Sequence, residues 1–123
     1  MRRGLVVDSS SVVRKVASRI LEDYDFEVVE SEDGAEALDL CQRQMPDLVI
    51  VDWKTPALPG VAFVRALRRA PGGMKPKVVY CSTENDREQV SHAISSGADQ
   101  WLLKPFDREV IGEMLRDLGL TFP

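Results

Sequence analysis

Residues 48–54 read Leu-Val-Ile-Val-Asp-Trp-Lys, an unbroken apolar run that ends in an acid. Four consecutive aliphatic residues without polar alternation are typical of a parallel strand that is buried on both faces. Pro46 precedes the run, and Pro56 opens a loop after it. The stretch therefore predicts a central strand of a parallel sheet, with Asp52 at its carboxyl end.

Four more short apolar runs lie on either side of this one, and a helical pattern follows each of the five. The other runs cover residues 4–7, 26–30, 78–81 and 100–103. Five strand–helix units in a row predict one α/β domain, a doubly wound parallel sheet with helices on both faces. Residues 1–123 are expected to form that single domain, without an output domain.

The helical segments show apolar residues at helical spacing. Ser10 or Ser11 can cap the first helix by accepting a backbone N–H bond, and Asp33 and Gly34 open the second helix. The predicted apolar faces are Val12, Val13, Val16, Ala17, Ile20 and Leu21 in the first helix and Ala35, Leu38, Cys41 and Met45 in the second.

Composition excludes several classes of protein. With 44% apolar residues the chain is not disordered, and its net charge of −4 argues against a nucleic-acid partner. Arg65, Arg68 and Arg69 could form a local basic patch, although a solvated helix face is the simpler interpretation. Cys41 and Cys81 are expected to be buried free thiols. No segment is apolar enough for a signal peptide or membrane span, so a cytoplasmic location is expected.

Polar side chains follow four of the five predicted strands. The carboxyl ends of parallel strands share one edge of the sheet, where ligands of such folds bind. We therefore expect these side chains to converge there, whereas the second strand is taken to be peripheral. They are Asp8 with Ser9, Asp52, Ser82 with Thr83, and Lys104.

The chemistry of this set suits phosphoryl transfer. Two carboxylates can hold Mg²⁺, which prefers oxygen ligands. The cation and an ammonium group together neutralise charge on a transferring phosphoryl group. A carboxylate can also act as the nucleophile and become an aspartyl phosphate.

The motifs at the strand ends, taken in order, resemble the receiver domains of response regulators, in particular the stand-alone members of the CheY type. The resemblance covers essentially the whole chain. It implies the flavodoxin-like strand order 2-1-3-4-5. The motifs that carry it are Val6-Val7-Asp8 with Ser11 and Arg14, Asp52-Trp53-Lys54-Thr55-Pro56 with Gly60, Ser82-Thr83-Glu84, Trp101, and Lys104-Pro105-Phe106.

The resemblance assigns a role to each matching position. Asp52 is implied as the phosphoacceptor, and Asp8 and the Lys54 backbone carbonyl as Mg²⁺ ligands beside it. Ser82, with Thr83 next to it, falls at the switch-hydroxyl position, and Trp101 at the switch-aromatic position. Lys104 is implied to pair with Asp52 or its phosphate, through a cis bond to Pro105.

Four positions depart from the family pattern. Ser9 replaces the second of two adjacent acids, so it reaches the cation weakly or through water, and a weakened Mg²⁺ site is expected. Lys54 and Glu84 carry opposite charges where the family tunes dephosphorylation, and their pairing would slow attack by water. Trp101 is larger than the usual aromatic residue and could turn less freely.

The resemblance implies a response regulator of a two-component phosphorelay, which catalyses only its own phosphorylation and dephosphorylation. Its donor would be a sensor histidine kinase or a histidine phosphotransfer protein. Its target would be a protein that binds the surface of helix 4, strand 5 and helix 5, with no nucleic acid or membrane as partner. One alternative is a degenerate receiver that docks partners or binds a second messenger without phosphorylation. A haloacid-dehalogenase-type phosphatase fits poorly, because its second acid would fall at Lys54.

Overall fold

The computed structural model describes residues 1–120, and the last three positions of the predicted domain lie outside the described residues. Strands and helices alternate throughout. Within residues 1–120, no helix is both long enough and apolar enough to cross a lipid bilayer. The elements are β1 Arg2–Val7, α1 Ser11–Asp23, β2 Phe26–Ser31, α2 Gly34–Arg43, β3 Leu48–Asp52, α3 Gly60–Arg69, β4 Lys77–Ser82, α4 Arg87–Ser95, β5 Gln100–Leu103 and α5 Arg108–Asp117.

The five strands form one parallel sheet in the order β2-β1-β3-β4-β5. The predicted fold and strand order are therefore confirmed. β3 lies in the middle, and all five of its residues are buried, as its unbroken apolar run predicts. The order reverses direction between β1 and β3, so Asp8 and Asp52 follow neighbouring strands.

Two apolar cores cover the two faces of the sheet. One lies under α2, α3 and α4 and includes Phe63, Leu67 and Tyr80. The other lies under α1 and α5 and includes Leu21 and Ile111. Cys41 and Cys81 are buried free thiols, one in each core, as the sequence predicts.

The first helix buries a narrower face than its sequence predicts. Ser10 caps it, because its hydroxyl accepts the Val13 backbone N–H. Ala17, Ile20 and Leu21 face the sheet as expected, but Val12 is 70% exposed and Val16 is 45% exposed. The valines near the start of the helix lie beyond the edge of the core and are therefore available on the surface.

Two further expectations about helices are wrong. In α2 it is Ala37, not Ala35, that is buried, and the helix ends at Arg43, before Met45. Arg68 is not part of a solvated face, since its side chain is only 11% exposed. Its guanidinium group donates to the carbonyls of Gly73, Pro76 and Gly97 and pairs with Asp99.

Candidate functional site

The three charged residues at the centre of the site converge as predicted. Lys104 follows β5, and its Nζ lies 2.8 Å from Asp8 Oδ2 and 2.9 Å from Asp52 Oδ1. Both carboxylates are therefore within hydrogen-bonding distance of one ammonium group and face each other across it. The three side chains are 5%, 9% and 12% exposed for Asp8, Asp52 and Lys104. The resulting cluster is shielded from solvent and carries a net negative charge.

The ammonium group is held strongly in its charged form. Burial alone lowers the pKa of Lys104, but hydrogen bonds to Asp8 and Asp52 and the charges of both carboxylates outweigh that effect, so the pKa of Lys104 is raised above its ordinary value. The Lys104–Pro105 peptide bond is cis, as the resemblance implies. Lys104 therefore offers a fixed cation to an incoming anionic group.

Backbone contacts fix the position of Asp8 at the start of the β1–α1 loop. The backbone N–H of Asp8 donates to the Ser31 carbonyl at 3.1 Å, and Asp8 Oδ1 accepts the Ser10 N–H at 2.9 Å. Its own carbonyl accepts from Arg14 Nη1 at 2.7 Å. The end of β2 therefore contributes a backbone carbonyl that fixes Asp8, while the charged cluster itself is formed by residues after β1, β3 and β5.

The loop after β3 curls tightly around Asp52. The Lys54 N–H donates to Asp52 Oδ2 at 3.3 Å, and the Gly60 N–H donates to the Trp53 carbonyl at 3.1 Å. A Cβ on Gly60 would lie 2.8 Å from the Asp52 carbonyl oxygen, so the close return of the chain requires glycine there. The buried hydroxyl of Thr55 closes the loop by donating to the Leu58 carbonyl at 2.6 Å.

The two hydroxyls after β4 differ in exposure. Ser82 is fully buried, and its Oγ accepts the Glu84 N–H at 3.0 Å. The Ser82 carbonyl accepts the Lys104 N–H at 2.8 Å, which ties the ends of β4 and β5 together. Thr83 is exposed. Ser82 is therefore the hydroxyl that the fold fixes beside the charged cluster.

The two tryptophans are both half-buried. Trp53 packs against the core under α2–α4. Trp101 packs against the same core from β5, where it is paired in register with Tyr80. Its side chain is thus a partly exposed packing residue at the sheet edge in this conformation.

Lys54 and Glu84 face each other at the rim of the site. Lys54 Nζ lies 4.0 Å from Glu84 Oε1, and the two side chains are 62% and 54% exposed. The ammonium group also lies 4.9 Å from the centre of the Trp53 ring. The predicted opposite charges are therefore close, but solvent screens them and the ion pair is weak.

The donor atoms of the site fit Mg²⁺. Within residues 1–120, no three His, Cys, Asp or Glu side chains are grouped closely enough to hold a metal ion. Asp8 and Asp52 nevertheless present two facing carboxylates, and Mg²⁺ in proteins needs only one or two of them when water and phosphate oxygens complete its shell. Ser9 is exposed and adds no charge. The Lys54 carbonyl belongs to the loop that folds over Asp52.

An apolar groove opens beside the charged cluster. It has a volume of about 470 Å³ and lies between α1 and the loop after β5. The exposed valines Val12 and Val16 line one wall, and Pro105 and Phe106 line the other. Lys104 also lines the groove. Sequence patterns assigned these valines to the core, so the groove is visible only in the folded chain.

Two residues of the site had no role assigned from the sequence. The sequence indicates Arg14 only as part of a motif. Its contact with the Asp8 carbonyl depends on how α1 packs against the β1–α1 loop. The hydroxyl of Thr55 closes the loop at Leu58, three residues further on. A threonine followed shortly by proline is a common turn signal, which could have pointed to this bond.

Known proteins share this architecture. The response regulator receiver domain matches residues 5–116. Chemotaxis protein CheY of Listeria monocytogenes is 33% identical over 94% of this chain and 96% of its own length. The phosphate regulon transcriptional regulatory protein PhoB of Escherichia coli is 31% identical over 85% of this chain, which spans only 46% of PhoB.

Solved structures agree with this result. The chemotaxis response regulator CheY4 of Vibrio cholerae superimposes with a TM-score of 0.88 at 33% identity, covering 96% of this chain and 98% of the other. Receiver domains are signalling domains of two-component systems and not enzymes in the ordinary sense. The chain belongs to the response regulator receiver family.

Proposed function

We propose that this protein accepts a phosphoryl group on Asp52 and passes the signal on through protein contacts. The observation that carries the proposal is the cluster of Asp8, Asp52 and Lys104, in which one ammonium group bridges two buried carboxylates. Such a site presents a nucleophile, a metal-binding acid and a cation within one shielded crevice.

The proposed transfer moves the phosphoryl group from a histidine of the donor protein to Asp52. An Asp52 carboxylate oxygen attacks the phosphorus of a phosphohistidine, the new O–P bond forms, and the P–N bond breaks with its electron pair returning to the imidazole. Lys104 neutralises charge on the phosphoryl oxygens. In this proposal the buried hydroxyl of Ser82 donates to one of those oxygens. Asp8, Asp52 and the Lys54 carbonyl would hold Mg²⁺, which would supply further charge neutralisation.

A direct experiment tests acceptance. The protein is incubated with acetyl phosphate and Mg²⁺, and its intact mass is measured. We expect a mass gain of one phosphoryl group for the wild type and none for Asp52→Asn. Asp39→Asn serves as a matched control, because Asp39 pairs with Arg43 on the exposed surface of α2. A gain in Asp52→Asn equal to that of the wild type would contradict the proposal.

The groove beside Lys104 is the proposed docking site of the phosphohistidine donor. The groove is lined mainly by apolar residues and borders the acceptor site. Apolar grooves of this kind can bind the apolar face of a partner helix. Val12→Glu should lower the rate of phosphotransfer from a histidine phosphotransfer protein at least tenfold, while leaving phosphorylation by acetyl phosphate unchanged. Met74→Glu changes an equally exposed residue far from the groove and should affect neither rate. Equal loss with both phosphodonors would show that Val12 acts on the site itself.

Lys54 and Glu84 are proposed to slow dephosphorylation because their side chains hinder the access of water to Asp52. Because both side chains are more than half exposed, a double-mutant cycle with alanine should give a small coupling, about 0.2–1 kcal/mol. The measured quantity is the rate at which the phosphoryl group is lost after the donor is removed. Each single variant should lose it faster than the wild type. Strictly additive effects would show that the two residues act separately.

The output surface is proposed to be the face formed by α4, β5 and α5. Ile94, Leu103 and Val110 are large apolar residues that are 42%, 44% and 39% exposed, and they come from these three elements in turn. A protein target, in a cytoplasmic signalling pathway, would cover them.

The second candidate function is a receiver that acts without phosphorylation. The observation that favours it is the exposed, uncharged Ser9 beside Asp8. In that case the wild type would gain no mass with acetyl phosphate even at high Mg²⁺. The two candidates are therefore separated by the same intact-mass experiment.

A further inference from the structure

Arg14 connects the site to the edge of the sheet. Its Nη1 donates to the Asp8 carbonyl at 2.7 Å, and its Nε donates to Glu30 Oε1 on β2 at 3.2 Å. The Arg14 side chain is only 16% exposed. The planar guanidinium group is suited to serving two acceptors at once, because its donors are fixed relative to one another.

The direction of the Asp8 carbonyl affects the geometry of the site. The carbonyl belongs to the planar peptide unit that joins Asp8 to Ser9, so its direction fixes the backbone path of both residues after β1. The other polar groups of Asp8 bond to the Ser31 carbonyl, the Ser10 N–H and Lys104. Only Arg14 restrains the carbonyl with a charged side chain, among the contacts that residues 1–120 show.

We propose that Arg14 is a positioning residue for the cation site. By holding the Asp8 carbonyl towards Glu30, it keeps the Asp8 carboxylate turned towards Asp52 and keeps Ser9 at the mouth of the site. The inference rests on the proposed function, because the cation concerned is the Mg²⁺ that accompanies Asp52. Partners in the outer shell of a metal site commonly change its affinity about 10–100-fold when they are lost.

Positioning and simple electrostatics predict opposite outcomes for Arg14. A guanidinium group near the site repels a divalent cation, so removal of its charge alone would tighten Mg²⁺ binding. Loss of positioning would weaken binding, because the carboxylate of Asp8 would no longer be fixed. Arg14→Lys keeps the charge, but its single ammonium group cannot reproduce the planar fork that reaches both Asp8 and Glu30.

The test is a calorimetric titration of the unphosphorylated protein with MgCl₂. We expect Arg14→Met to raise the Kd about tenfold or more, and Arg14→Lys to raise it as well. Arg3→Met is the control, because Arg3 on β1 pairs with Glu27 on β2 near the amino ends of these strands, away from Asp8. It should leave the Kd unchanged. Equal or tighter binding by Arg14→Met would overturn the proposal.

Amide hydrogen exchange in metal-free protein gives a second measurement that does not depend on Mg²⁺. The Ser10 N–H, which donates to Asp8 Oδ1, should exchange faster in both Arg14 variants and at the wild-type rate in Arg3→Met. Unchanged exchange at Ser10 would overturn the positioning role. If the wild type fails to bind Mg²⁺, the role of Mg²⁺ in the proposed function is contradicted. Exchange of the Ser10 N–H then still shows whether Arg14 positions Asp8.

Discussion

Lys104→Met is expected to lower the free energy of unfolding by about 3 kcal/mol at neutral pH, the lower end of the range for breaking a buried ion pair. The reason is that one ammonium group separates two carboxylates that are at most 9% exposed. Its removal leaves Asp8 and Asp52 facing each other without a cation. Methionine fills much of the same volume, so the loss is electrostatic more than steric.

The loss should depend on pH in a defined direction. In the wild type the pKa of Lys104 is raised above 10.5, so the stability that its pairing contributes is fully present below pH 10.5 and is lost only as the pH rises through the folded-state pKa. Lys104→Met lacks this contribution at every pH, so the difference in stability between the wild type and the variant should shrink as the pH rises above 10.5.

Urea unfolding at pH 7.5 and at a pH above 10.5 measures both effects, and saturating MgCl₂ should restore part of the loss at pH 7.5. Lys15→Met is the control, because Lys15 is exposed on α1 and its replacement should change stability by no more than about 0.5 kcal/mol. If Lys104→Met and Lys15→Met have the same stability at pH 7.5, the ammonium group does not hold the cluster together.

Ser9→Asp is expected to tighten Mg²⁺ binding tenfold or more. A charge pair near 4 Å is worth about 4 kcal/mol at an effective dielectric constant of about 20, and a divalent ion roughly doubles that attraction. Dehydration of the cation and carboxylate cancels most of it. A tenfold gain in affinity corresponds to about 1.4 kcal/mol of binding free energy, which is a small part of the attraction before dehydration is subtracted.

The measurement is a Mg²⁺ titration that is monitored by tryptophan fluorescence. All variants carry Trp101→Phe, so that the fluorescence comes from Trp53 alone. Ser9→Asn is the matched control, because asparagine has the shape of aspartate without its charge. It should bind Mg²⁺ with nearly the wild-type affinity. Equal affinities for Ser9→Asp and the parent would mean that the side chain at position 9 does not reach the cation.

The architecture and the centre of the site follow closely from the sequence. β3 is buried on both faces and its run of residues 48–51 is apolar throughout, so the hydrophobic effect favours its central place in the sheet. Asp8, Asp52 and Lys104 come directly after strands whose carboxyl ends share one edge. Their convergence therefore needs only the parallel topology, and the ion distances confirm it.

Features that depend on neighbouring elements could not be predicted in this way. Val12 and Val16 have helical apolar spacing, yet α1 extends past the edge of the core and exposes them. Arg68 has the pattern of a solvated residue, yet the carbonyls of the flanking loops surround it. Arg14 gains its contact with Asp8 from the angle at which α1 packs. In each case tertiary packing, which local periodicity does not encode, decides the outcome.

Asp52 is proposed to carry the phosphoryl group, and the position of that group in the chain can be determined chemically. Protein treated with acetyl phosphate and Mg²⁺ is reduced with borohydride, which converts an aspartyl phosphate to homoserine, and the digested peptides are then weighed. We predict homoserine at position 52, with Asp8 and the exposed Asp39 unchanged. Unmodified Asp52, or homoserine at another aspartate, would contradict the account.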